Sequence, residues 1–74
     1  MKEVIVYSKP GCSKCVMLKK WLGVKSIEFS ETDITQDEES FNKIVSLNRT
    51  SLPQLEIDGE FVDYKEFNDI LVEL

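Results

Sequence analysis

The sequence predicts an α/β fold: one four-stranded mixed sheet flanked by three helices, in the order β-α-β-α-β-β-α, as a single domain over residues 1–74. Three observations predict it. A β-branched run, Val4-Ile5-Val6-Tyr7, is followed at once by a turn and a helical stripe. A second strand and helix repeat that pattern. Asp58-Gly59, the strongest short turn signal in the chain, then joins two short apolar runs into a hairpin.

Each element has its own local cause. Residues 2–7 alternate weakly and are rich in Val, Ile and Tyr, which predicts a buried strand. Ser8-Lys9-Pro10-Gly11 is a turn. Cys15, Leu18, Lys19 and Leu22 then fall on one helical spacing, widened by Met17 and Trp21, so a helix is expected over 13–22 with Gly23 as its C-terminal cap. Lys19 and Lys20 lie near that helix's negative end. Ile27 and Phe29 alternate with polar residues, predicting a half-exposed strand over 26–33. Thr35 or Asp37 caps the next helix, expected over 37–48, with Phe41, Ile44 and Val45 on its apolar stripe. A loop over 48–51 leads to a strand over 53–57 and a partner strand over 60–62 across the Asp58-Gly59 turn. Asp63 caps a last helix whose stripe is Phe67, Ile70, Leu71 and Leu74. A strand, a helix and a second strand in succession imply a parallel pair, and the hairpin makes the sheet mixed.

Composition narrows the function classes. At 42% hydrophobic and 31% charged, the chain is ordinary for a soluble globular protein. The apolar run near the N-terminus is too short for a signal peptide or a membrane span. A net charge of −5 argues against nucleic acid as a partner. That charge is uneven: residues 1–25 hold six lysines against Glu3, whereas residues 26–74 hold three basic and thirteen acidic side chains. The basic segment carries both cysteines of the chain, Cys12 and Cys15.

A disulfide closing so short a loop contributes little stability, so the pair is not a staple. At a strand-to-helix junction, Cys-x-x-Cys reads as a thiol–disulfide redox site. Cys12 sits where the unsatisfied N–H groups and the positive end of the helix dipole favour an anion, and Lys9 and Lys14 add positive charge. Cys15 is one turn later on the same face, placed to resolve a mixed disulfide formed on Cys12. Cys12 is therefore the expected nucleophile, and Cys15 the more buried, less acidic thiol. Two other uses stay open. The pair could be half a zinc site, which without histidine or further cysteine needs carboxylates or a second chain. It could also be two buried structural thiols. Covalent haem attachment is excluded because Val16, not histidine, follows Cys15.

Residues Tyr7-Ser8-Lys9-Pro10-Gly11-Cys12-Ser13-Lys14-Cys15 closely resemble the active-site stretch of glutaredoxins, which usually ends Cys-Pro-Tyr-Cys. Arg49-Thr50-Ser51-Leu52-Pro53 resembles the Thr-Val-Pro segment of that family, and Asp58-Gly59-Glu60-Phe61-Val62 its last hairpin. The resemblance implies a thioredoxin-like fold with Pro53 as a cis-proline facing the cysteines and the Leu52 backbone free to pair with an extended substrate. It implies that Lys9 meets a carboxylate of glutathione and that Arg49 supplies a further contact. Ser13 and Lys14 stand in place of Pro-Tyr between the cysteines. The family's glycine pair before the last helix is replaced by Val62 and Asp63, which crowd the glutamyl end of a glutathione site, with Tyr64 and Lys65 as replacement contacts.

The expected function is that of a monomeric, cytoplasmic dithiol glutaredoxin. It would reduce protein or glutathione mixed disulfides, with no bound cofactor or metal and glutathione as co-substrate, and ribonucleotide reductase is the client the resemblance implies. The alternative is an NrdH-type redoxin recharged by thioredoxin reductase, although that group's usual Trp-Ser-Gly-Phe segment is missing. A non-enzymatic module that binds a metal or an iron–sulfur cluster is the reading from a different class.

Overall fold

The computed structural model describes residues 2–49 and 51–74. The elements run β1 (Val4–Ser8), α1 (Ser13–Val24), β2 (Ser30–Asp33), α2 (Glu38–Ser46), β3 (Gln54–Ile57), β4 (Glu60–Val62) and α3 (Asn68–Glu73). The sheet order is β2-β1-β3-β4, with β1 parallel to β2 and the other two pairs antiparallel. This is the mixed four-stranded sheet and the element order expected from the sequence.

Strand alternation divides the sheet into two unlike faces. Val4, Val6, Leu55 and Ile57 point to one side, where Leu18 and Leu22 of α1 and Ile70 of α3 complete a fully buried apolar cluster. Each such side chain contributes about 1.5–3 kcal/mol by leaving water. The opposite face carries Ile5, Glu56 and Phe61 in register, with Tyr7 beside Gln54. Lys43 of α2 reaches this face and bonds Glu56. The buried residue of α2 is Ile44, while Phe41 and Val45 stay about half exposed.

Several element boundaries differ from expectation. First, α1 passes through Gly23 and ends at Val24. Its left-handed position falls on Ser26 (φ 58), and Ser26 N–H and Ile27 N–H donate to the Gly23 and Leu22 carbonyls. That is a Schellman closure with Ile27 against the core, so Ile27 and Phe29 flank the cluster from a link, and β2 starts only at Ser30. Second, α2 spans Glu38–Ser46 and stops before Asn48, which takes the left-handed position (φ 60). Asn48 N–H and Arg49 N–H close back onto Val45 and Ile44, again a Schellman closure. Asp37 occupies the N-cap position of α2 without capping the backbone, and its carboxylate accepts from Ser40 Oγ instead.

Third, α3 starts at Asn68 rather than after Asp63. The Asp69 carboxylate takes the local N–H groups of Lys65 and Glu66, and Asp63 is engaged by Arg49. Of the expected α3 stripe, Ile70 is fully buried and Phe67 half-buried, whereas Leu71 and Leu74 are exposed.

The hairpin turn is as expected. Asp58 and Gly59 both have positive φ, 51 and 86, as a type I′ turn requires. Asp58 also pins the chain start: its N–H donates to the Glu3 carbonyl and its carboxylate accepts from Glu3 N–H. A Cβ at Gly59 would meet open space, so Gly59→Ala isolates backbone strain. It is expected to lower stability by about 1 kcal/mol in a urea melt; an unchanged midpoint would contradict the turn assignment.

Candidate active site

The turn that leaves β1 builds the site. Gly11 takes φ 78, which brings Cys12 to the N-cap of α1 in extended geometry (φ −89, ψ 104). From there Cys12 Sγ accepts the Cys15 N–H at 3.1 Å, and the Cys12 carbonyl accepts Val16 N–H. Cys12 and Cys15 form a disulfide with Cα atoms 5.2 Å apart. Cys12 is half-buried and Cys15 is 1% exposed. The asymmetry expected from the spacing is present: the outer sulfur lies at the helix N-terminus and the inner one against the core.

A second set of side chains, not anticipated from the sequence, fixes α1 to the sheet. Ser8, buried at the end of β1, donates to Glu31 of β2 at 2.7 Å, and Lys19 of α1 donates to the same oxygen at 2.5 Å. The bonds from Lys19 and Ser8 hold the Glu31 carboxyl below the usual carboxylate range. Lys19 is thus tied to β2 rather than serving the helix end.

Two grooves are lined by residues near the cysteines in sequence, Lys14 in one and Lys9 in the other. One, of about 490 Å³, is lined by Lys14 and Met17 of α1, by Pro53, and by Val62, Asp63, Tyr64 and Lys65 around the exit from β4. The other is lined by Lys9, Ile34, Phe41 and Leu52. The Leu52–Pro53 peptide is cis, as the resemblance implied, and its two residues face different grooves. Lys9 and Lys14 are both exposed, one on the turn before Cys12 and the other between the two cysteines. Ser13 is exposed on the first helical turn and lines neither groove. Burial pushes the Tyr64 hydroxyl above its ordinary range, so it stays protonated and able to donate. Thr50 lies outside the described residues.

Arg49 is placed differently from the expected substrate contact. Its Nη1 donates to Asp63 at 2.8 Å and to Gln54 Oε1 at 3.4 Å, with the guanidinium carbon 5.2 Å from the Phe61 ring centre. Gln54 in turn donates to the Ser51 carbonyl at 2.6 Å. Arg49 therefore ties the segment entering Pro53 to the loop leaving β4. The bond from Arg49, and then its charge, hold the Asp63 carboxyl below its ordinary range. The left-handed signal that seats Arg49, Asn48 at a helix end, was available in the sequence; its partner fourteen residues away was not.

Among the described residues, no group of three or more His, Cys, Asp or Glu side chains converges as metal ligands. No helix among them is long and apolar enough to cross a membrane.

Known proteins share this architecture. The family model described as Glutaredoxin matches residues 4–62. A glutaredoxin-like protein NrdH from Lactococcus lactis subsp. cremoris is 36% identical over 55 residues, covering 74% of this chain and 76% of that protein. The crystal structure of the thioredoxin-like protein BC3987 superposes with a TM-score of 0.81 at 28% identity, over 96% of this chain and 99% of the other. Glutaredoxin 1 from Francisella tularensis, crystallised with cacodylate, gives 0.67 at 25% identity, over 99% and 92% of the two chains.

Proposed function

The chain belongs to the glutaredoxin family and has its thioredoxin-like fold, and from that premise we propose that it is a monomeric dithiol carrier of a reducing cytoplasm. In this reading a flavoprotein reductase of the thioredoxin reductase type recharges it, rather than glutathione. Its client is a protein disulfide, with ribonucleotide reductase the client that the family resemblance supports. The observation that carries the reading is the asymmetric pair: Cys12 at the N-cap of α1, with Cys15 buried one turn behind it.

The chemistry follows from that asymmetry. In the reduced protein the Cys15 N–H and the N-terminal end of α1 favour a thiolate on Cys12, and exposed Lys9 and Lys14 add positive charge. The thiolate attacks one sulfur of the client disulfide. The Cys12–client bond forms, the client S–S bond breaks, and the released client sulfur leaves as a thiolate that takes a proton from water. Cys15, losing its proton, then attacks Cys12 Sγ. The Cys12–Cys15 bond forms and the second client sulfur leaves as a thiol. Two electrons pass to the client together with two protons, one from water and one from Cys15, and a dithiol reductase restores the dithiol by the reverse sequence.

The choice of reductant rests on the groove beside Lys14. Glutathione presents an ammonium and a carboxylate at its glutamyl end, which must approach the backbone closely. Val62 and Asp63 occupy that wall where the family's usual glycines would leave it open. The NrdH-named relatives support the same assignment.

The test reduces the oxidised protein either with NADPH and thioredoxin reductase or with glutathione coupled to glutathione reductase. Turnover by thioredoxin reductase is expected, with glutathione at least about tenfold slower, the equivalent of one lost charge-assisted contact. Comparable or faster reduction by glutathione would overturn the reductant assignment. Failure of both reductants would overturn the carrier itself.

A further inference from the structure

The groove that Lys14, from between the two cysteines, helps to line has an unusual charge inventory. Asp63 is the one carboxylate among its lining residues, and it is bonded to Arg49. Lys14 and Lys65 also line the groove, and neither forms an ion pair among the described residues. The lining also includes the largely apolar Met17, Val62, Tyr64 and Phe67, with Met17 59% exposed.

Surface ion pairs are usually weak because two flexible side chains must be held together. Arg49 is already held. Its backbone N–H closes α2, its guanidinium lies against Phe61, and it shares Gln54 with the Ser51 carbonyl. The ordering cost has therefore been met by packing before Asp63 arrives. The Asp63 side chain is 85% exposed and lies outside the core, so its pairing with Arg49 changes the charge of the groove as well as tying the loop.

We infer that the Arg49–Asp63 pair sets substrate selection by cancelling the groove's carboxylate, leaving Lys14 and Lys65 to receive an acidic segment of a protein client beside its disulfide. This rests on the dithiol-carrier reading and names the substrate class of that site. The client segment carries Asp or Glu next to the reacting cysteine and an apolar residue to cover Met17 and Tyr64. A segment with an ammonium at the same place meets two lysines and no available carboxylate. Arg49 thus acts through Asp63 as a specificity-determining residue.

Two disulfide-containing peptides of equal length test this, one with Glu-Glu and one with Gln-Gln beside the reacting cysteine. The protein is first reduced with dithiothreitol, which is removed before mixing so that neither a reductase nor a free dithiol reaches the peptides, and the second-order rate of the single turnover is read as kcat/KM. The Glu peptide is expected to show a kcat/KM about three- to tenfold higher at low ionic strength, with the ratio approaching one as salt rises to about 0.5 M. Arg49→Gln leaves the Asp63 carboxylate uncompensated and should cut that ratio at least about twofold, the effect of one rim charge. Asp63→Asn, an exposed change that spares the fold, releases the Arg49 charge and should raise it. Each ratio compares two substrates on one protein, so a partly unfolded fraction cancels. Equal rates for the two peptides on the unmodified protein, or an unchanged ratio in Arg49→Gln, overturn the inference while leaving the carrier reading intact. If neither peptide is reduced, the carrier reading falls with it.

Discussion

Cys12→Ser is expected to abolish disulfide reduction, lowering kcat/KM by at least about a thousandfold, the scale seen when one member of a catalytic unit is removed. A serine hydroxyl is not ionised near neutral pH and cannot form the mixed disulfide. The substitution should not damage the fold. Position 12 is the N-cap of α1, where a serine oxygen accepts backbone N–H groups at least as well as sulfur does. Cys15→Ser has a different signature. Cys12 keeps its helix-end position and still attacks, but the mixed disulfide has no resolving thiol and accumulates. Intact-mass spectrometry after mixing with a disulfide peptide should therefore show a peptide adduct on Cys15→Ser and none on Cys12→Ser. An adduct on Cys12→Ser, with activity retained, would reverse the assigned roles. The buried position of Cys15 argues against that outcome, because a thiol 1% exposed cannot meet a protein client directly.

The parts of this molecule that were legible in the sequence are those set by local rules. The Val4–Ser8 strand, the helix opened by Cys12 and the Asp58-Gly59 hairpin each follow from propensity, spacing or turn chemistry within a few residues. Boundaries failed where two local signals competed. Gly23 looked like a helix end, but the left-handed position fell on Ser26, three residues on, because Ile27 packs against the core from there. Asp63 looked like a helix cap, but the guanidinium of Arg49, fourteen residues earlier, took it. Glu56 was harder still. Alternation correctly turns it away from Leu55 and Ile57, yet nothing local says that α2 covers that side. The dithiol was legible because its chemistry sits within four consecutive residues. The groove walls were not, because they come from segments that meet only after folding.

Glu56 therefore becomes the second large expectation. It is 4% exposed on a strand, with Tyr7 Oη donating to one carboxylate oxygen at 2.5 Å and Lys43 to the other at 3.0 Å. Burial pushes its carboxyl up, but the Tyr7 and Lys43 bonds and the Lys43 charge outweigh that and hold it below its ordinary value of 4.5. Glu56→Ala strands a buried tyrosine hydroxyl at about 1–2 kcal/mol and removes an ion pair whose lysine is nearly half exposed, adding roughly 0.5–1. The sum, about 1.5–3 kcal/mol, is a large share of the roughly 5–10 kcal/mol that a domain of this size holds. A depressed carboxylate stabilises the fold above its unfolded value, so this contribution is present above about pH 4.5 and is lost as pH falls through the lower folded value. Tyr7 is raised by burial and then by Glu56, and Lys43 chiefly by its bond to Glu56. Their contributions are complete below 10.0 and 10.5 and are lost as pH rises through the higher folded values. Urea midpoints measured from pH 3 to 11 should accordingly form a plateau that falls at both ends. Glu56→Gln keeps an acceptor for Tyr7 but removes the charge, so its acid limb should be shallower than that of the unmodified protein, with Glu31 and Asp63 supplying the remainder. Identical acid limbs in the two proteins would mean that Glu56 is not the anion holding α2 to the sheet.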